Sequence, residues 1–242
     1  GILFAVFVVR GFLPSLIVFL STPEIGITGA FRVMWESNPS VITAIEAATP
    51  IVMMAGGMFL FLLWLHWLFL EEKTFGLPLE RHIQAYGGVW FYALSALGLV
   101  GVMVAIGDVG AENPMRLALA ATVGFSAFFI TQGFKENAEK IEKRLIASGK
   151  ESSMSDWAKV AFLEVLDTAF SIDGVVGAFA FTTMVPLILI GNGIGAIVVR
   201  QLTVSNVDRI RSYLYLKNGA MYSIGFLGAV MLLEGFGAHL PA

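Results

Sequence analysis

The sequence contains no cysteine, so disulfides, thiolate metal centres and thiol nucleophiles are excluded together. It is also poor in charge: acidic and basic side chains make up 14% of its 242 residues, where soluble domains carry about 25%. The three histidines, His66, His82 and His239, are too scattered for a His-rich metal site. With 15 basic residues against 18 acidic the net charge is −3, so no basic surface invites nucleic acid as a partner. Apolar residues take the vacated share, 57% of the chain, and the mean hydropathy is +0.81. A water-soluble core of this size cannot hide that much apolar surface. The composition therefore specifies a polytopic membrane protein of all-α class.

A spanning helix needs about 20 mostly apolar residues, because lipid cannot satisfy free backbone groups. Seven stretches qualify: Gly1–Leu20, Ala48–Leu70, Val89–Gly107, Met115–Phe134, Trp157–Phe181, Met184–Arg200 and Tyr213–Phe236. The sixth is short and glycine-rich. Pro23, Pro39, Pro78, Pro114 and Pro186 fall between or at the edges of these stretches, where proline is tolerated. The chain opens with Gly1 inside an apolar run, which implies that its true N-terminus lies upstream. No signal-peptide pattern is present.

Basic residues then set the orientation. If the chain starts inside, the inner segments hold 12: Lys73, Arg81, Lys135, Lys140, Lys143, Arg144, Lys150, Lys159, Arg200, Arg209, Arg211 and Lys217. The outer segments hold 2, Arg32 and Arg116. The first visible residue is thus expected on the cytoplasmic side and the C-terminus outside. Residues 135–156 read as a cytoplasmic linker, helical and solvated, with Glu136–Lys140 and Glu139–Lys143 pairs at i,i+4 spacing.

An internal repeat runs through this pattern. Gly1–Arg10 and Gly191–Arg200 both open on glycine and close on Val-Val-Arg. Met58 precedes Glu71 by 13 residues, and Met221 precedes Glu234 by the same interval. Each half reads as an Arg-bearing helix followed by a helix ending in Glu. An odd number of helices separates the halves, which makes the repeat inverted, as in many secondary transporters. The single transmembrane domain of residues 1–242 then divides into half A (1–75), linking spans (89–134), the linker (135–156) and half B (157–237).

The fifth span carries the chemistry. Glu164, Asp167 and Asp173 sit among apolar or small neighbours, and each costs about 2.5–3.5 kcal/mol at a bilayer centre if unpaired. Glu164, Asp167 and Ser171 share one helical face at i, i+3, i+7. Asp173 is about 120° from Asp167 on an unbroken helix. Either a break at Gly174 and Gly177 returns it to the same cavity, or it faces a different neighbour. Clustered carboxylate and hydroxyl oxygens without sulfur suit hard cations such as Mn²⁺, Mg²⁺ or Ca²⁺. Asn192, Asn206, Asp208 and Asn218 are candidate additional ligands near the ends of later spans. Against this stands a structural reading, in which the acids pair with Arg10 and Arg200 to lock the bundle. In the ion-handling reading the same arginines balance the charge of the empty site.

Glu71 and Glu234 sit at helix ends and read as solvated interfacial acids. His66 lies among Trp64, Trp67 and leucines, and reads as a hydrogen-bonded interfacial histidine rather than a ligand or proton relay. Tryptophan and tyrosine at span edges read as interfacial anchors. Gly56, Gly57, Gly225 and Gly228 read as close helix contacts.

At Phe170-Ser171-Ile172-Asp173-Gly174, preceded by Glu164 and Asp167, the sequence resembles the TerC family of integral membrane proteins, and within it the prokaryotic DUF475 branch. Gly1–Arg10, Glu71-Glu72-Lys73 and Leu216–Met221 add to the likeness. The resemblance implies a bundle of two related halves on the TerC/LysE-type transporter plan. It also implies association with tellurium resistance and export of divalent metal, chiefly Mn²⁺. By that likeness Asp167 and Asp173 are metal-site acids with Glu164 close by. A Ser-x-Asp-Asn motif that the family carries before the helix ending in Arg10 is not visible here, and Gly174 stands where many relatives have serine.

The leading expectation is a secondary transporter of the prokaryotic plasma membrane that exports a divalent cation through Glu164, Asp167, Ser171 and Asp173, with no tightly bound cofactor. No ATP-binding motif appears, so ion or proton gradients drive it. The alternative is a membrane scaffold or assembly factor whose buried charges are structural. A metal-dependent membrane enzyme ranks last, since the chain offers neither a nucleophile nor a His-rich site.

Overall fold

A computed structural model describes residues 26, 28–29, 39–71, 73, 75–85, 87–108, 113–147, 178, 182, 185–206 and 213–237. Its described residues form six helices and no strand: α1 (Pro39–Phe69), α2 (Pro78–Ala85), α3 (Val89–Asp108), α4 (Pro114–Ala147), α5 (Val185–Ser205) and α6 (Leu216–Gly235). The fold is a helical membrane bundle. Four segments are long and apolar enough to cross a bilayer: Thr49–Phe69, Val89–Asp108, Pro114–Asn137 and Leu216–Gly235. They coincide with the second, third, fourth and seventh stretches expected from hydropathy. The sixth forms helix α5, whose apolar part, Ile190–Val199, is shorter than a span requires. The first and fifth lie outside the described residues.

Helix α1 is the centre. It is apolar on all sides, as a helix with neighbours on every face must be, and buries Val52, Met54, Met58, Phe59, Leu60, Leu62, Leu65 and Trp67. Antiparallel α6 lies along one side of it and α4 along another, with α3 against α4. Glycine decides how close α6 comes. A Cβ on Gly228 would stand 2.7 Å from the Phe61 backbone nitrogen, and one on Gly57 2.7 Å from that of Leu232. At Gly225 a Cβ would strike the Trp64 indole, and at Gly124 of α4 it would strike the Ala55 backbone. The contacts expected at Gly57, Gly225 and Gly228 are thus present, because backbones can approach only where no Cβ intervenes.

Aromatic packing closes the α1–α3–α4 side. Phe91 and Phe128 are buried there, and the His66 ring meets Phe91 edge-on at 5.4 Å and Phe128 at 5.9 Å. The opposite face of α3 presents Trp90, Tyr92, Leu97, Val100 and Val104 outward, as suits a helix against lipid.

Two expectations change. Trp67 is no interfacial anchor: it is buried, edge-on to Tyr222 at 5.5 Å with the Lys73 ammonium over its ring at 4.7 Å. Because α1 is central, even its end is covered by the segment that follows. The second concerns the solvation expected at Lys135, since the helical start of residues 135–156 continues the preceding span. Helix α4 runs unbroken for 34 residues to Ala147, about 51 Å, well beyond the ~30 Å of a hydrocarbon core. No proline or glycine falls between Phe134 and Ala147 to stop it, and Lys135 is buried on it.

Candidate functional site

The polar residues that the described structure brings together lie where α1 ends and α6 begins. After Phe69 the chain turns into α2, which starts with Pro78 at its first position, where a missing N–H costs nothing. Two residues on, Glu80 reaches back and its Oε2 accepts the Leu77 backbone N–H at 3.0 Å, a side-chain cap of the helix start. The same oxygen accepts the Asn218 amide of α6 at 2.7 Å, from 138 residues further along the chain. Asn218 also donates to the Phe75 carbonyl at 3.2 Å. Glu80 is 0% exposed, and its carboxylate also takes a side-chain hydrogen bond from Tyr222. Tyr222, one turn beyond Asn218, faces it.

A shell of charge surrounds this contact. Glu71 pairs with Lys217 at the surface, and its backbone carbonyl accepts the Gln84 amide at 3.1 Å. Lys73 donates to the Leu68 carbonyl at 2.7 Å, a cation on the carbonyl end of α1, where the helix dipole favours it. Partial burial holds the Lys73 ammonium below its ordinary value, while the nearby Glu80 and Glu71 carboxylates oppose that shift.

Set against the sequence reading, Asn218 is one of the candidate ligands, and its amide is spent on Glu80 and Phe75. Asn206, at the end of α5, donates to the Leu202 carbonyl at 3.1 Å within its own helix. Asn192 is half-buried on α5, and Arg200 is a backbone position of the same helix. Glu164, Asp167, Ser171, Asp173, Arg10 and Asp208 lie outside the described residues. Among the described residues no three His, Asp or Glu side chains gather closely enough to hold a metal. Glu71, expected to be solvated, is partly exposed and ion-paired. Glu80 escapes a reading based on spans, since it lies on the short helix α2 between them. Its signal was local, proline at the first helical position and glutamate at the third.

Sequence comparison over residues 1–237 matches the family described as "Protein of unknown function (DUF475)". The chain belongs to the DUF475 family. Among curated relatives of this DUF475 member, the "Uncharacterized membrane protein YceF" of Bacillus subtilis (strain 168) is 32% identical over 85 residues, 35% of this chain. That alignment covers 33% of the relative's length. No solved structure matches. A DUF475 chain with four apolar spans among its described residues is a multi-pass integral membrane protein.

Proposed function

We propose that this protein is a secondary transporter that exports a divalent cation, Mn²⁺ foremost, across the prokaryotic plasma membrane. The observation that carries the proposal is in the sequence: Glu164, Asp167 and Asp173, with Ser171, stand in an otherwise apolar stretch inside a multi-pass membrane protein. Carboxylates placed so are expensive unless they handle an ion or are paired, and oxygen-only donors suit hard cations. The resemblance to the TerC family supports the same reading. In it Asp167 and Asp173 bind the cation, Glu164 and Ser171 assist, and Arg10 and Arg200 balance charge while the site is empty. Export as the direction rests on the TerC resemblance, and the basic residues support a cytoplasmic side for Lys135–Lys150 and Lys217. No catalytic role is assigned to any residue.

A second reading has its own support. The contacts at the α1–α6 end show charged and amide side chains of this chain tying helices together. If Glu164, Asp167 and Asp173 do the same, the protein is a scaffold or assembly factor. Intracellular manganese separates the two, measured in cells lacking the gene and complemented with the unmodified protein or its Asp167→Asn form. Export through the fifth span predicts that only the unmodified protein lowers accumulated manganese. Equal lowering by both removes Asp167 from the site, and lowering by neither sinks manganese export.

A further inference from the structure

Helix α2 reverses the pattern of a helix in water. Its buried residue is a carboxylate, Glu80, while Leu79 beside it is 67% exposed, as open as Leu97 on the outward face of α3 at 64%. Phe75 and Leu77, just before the helix, are exposed as well. Helical spacing accounts for the division. With Glu80 turned inward, Pro78, Leu79, Arg81, His82 and Ala85 fall on the outer side, and all of them are exposed.

The reversal is fixed by bonds on the inner side. Glu80 accepts from the Leu77 N–H, the Asn218 amide and the Tyr222 hydroxyl. Asn218 also reaches the Phe75 carbonyl, and Gln84 reaches the Glu71 carbonyl. These contacts hold one face of α2 against α6 and the end of α1, so Leu79 has to point away from the protein. Their level is set by the spans: that of α1 ends at Phe69 and that of α6 begins at Leu216. Helix α2 therefore lies where two spans leave the bilayer. Tyr213 and Tyr215 are exposed at the same end, and tyrosine is at home in the headgroup layer. At that depth an outward leucine meets acyl chains instead of water. An outward arginine meets phosphates, which a planar guanidinium binds by two parallel hydrogen bonds.

We propose that residues 75–85 are an interfacial element, with Phe75, Leu77 and Leu79 seated at the boundary of acyl chains and headgroups and Arg81 on the headgroup of an anionic phospholipid. In the orientation expected from the basic residues this is the cytoplasmic leaflet, where anionic lipids attract basic side chains beside a span. The inference holds for a transporter and for a scaffold alike.

The cysteine-free chain allows a direct test by single spin labels in lipid nanodiscs. Collisions with oxygen, which favours lipid, are compared with collisions with a neutral nickel chelate, which favours water. Labels at Leu79→Cys and Phe75→Cys should read between Leu97→Cys on α3 and Lys140→Cys on the far part of α4. Nickel access equal to that of Lys140→Cys puts the leucine in water, as a protein-docking surface would be, and overturns the insertion. Protection from both reagents means that the protein itself covers these residues, and overturns it too. Spin-labelled phosphatidylglycerol against spin-labelled phosphatidylcholine reads the headgroup contact. Arg81→Ala should weaken the preference for phosphatidylglycerol at this site by about fivefold, the usual weight of one basic residue at an anionic surface. An unchanged preference, with the Leu79 label still seated in lipid, removes Arg81 and overturns the anionic-lipid contact.

Discussion

Gly57 and Gly228 meet reciprocally across the seam between α1 and α6. A Cβ on Gly57 would come within 3.0 Å of the Gly228 carbonyl oxygen, and one on Gly228 within 3.2 Å of the Gly57 carbonyl oxygen. Neither helix can yield at this point without moving its whole backbone. The contact explains why the two helices form the tightest pair among the described elements, though residues 70–215 separate them in the chain.

Alanine at either position should therefore destabilise the protein by about 1–3 kcal/mol, the usual cost of overpacking. Gly219→Ala on the same α6, where nothing lies within 4 Å of the new Cβ, is the control and should cost nothing. Thermal unfolding in detergent measures all three. Equal melting temperatures would show that the seam is not close-packed.

The two polar contacts at the hairpin end should differ sharply in weight. Glu71 and Lys217 are 40% and 63% exposed, so Lys217→Ala should change stability by no more than about 0.5 kcal/mol. Glu80→Ala leaves the Leu77 N–H and the Asn218 amide without their acceptor in a buried place, at about 1–3 kcal/mol. Unfolding of the two variants side by side checks the ranking. A larger loss from Lys217→Ala would reverse it.

Lys73 gives the pH dependence a sign. Its folded value is depressed, so between that value and the ordinary ~10.4 the unfolded chain holds the more protons. The contribution of Lys73 to stability therefore rises with pH through that window, and its full burial cost is present below it. The stability difference between the unmodified chain and Lys73→Met should shift in favour of the unmodified chain as pH climbs from 8 toward 10.5. A difference that is flat with pH would mean that the ammonium is not desolvated.

The absence of native cysteine makes the orientation directly measurable. Single cysteines at Lys140, on the far part of α4, and at Asn113, just before α4, should label from opposite sides of intact cells. The charge asymmetry expects Lys140→Cys to be shielded from an impermeant maleimide and Asn113→Cys to react. The reverse pattern would invert the topology.

Much of the architecture was readable from composition and run length. Lipid demands about 20 apolar residues per span, and that demand alone located Thr49–Phe69, Val89–Asp108, Pro114–Asn137 and Leu216–Gly235 to within a few residues. Gly57 and Gly228 were also legible as contact residues, since glycine in an apolar helix has little other use. Hydropathy carries no information on which helix meets which, and so it assigned Trp67 to an interface when α1 occupies the centre. Nor did it show the end of α4, where helix-forming residues extend a span past the membrane with no breaker to stop it.

The sequence by itself determined class, approximate spans and the suspect carboxylates Glu164, Asp167 and Asp173, because each depends on local cost in lipid. Only the tertiary structure decided that Glu80 meets Asn218. That bond joins residues 138 apart in the chain, and no periodicity reports a contact between the starts of two helices until the antiparallel packing of α1 and α6 has brought them together.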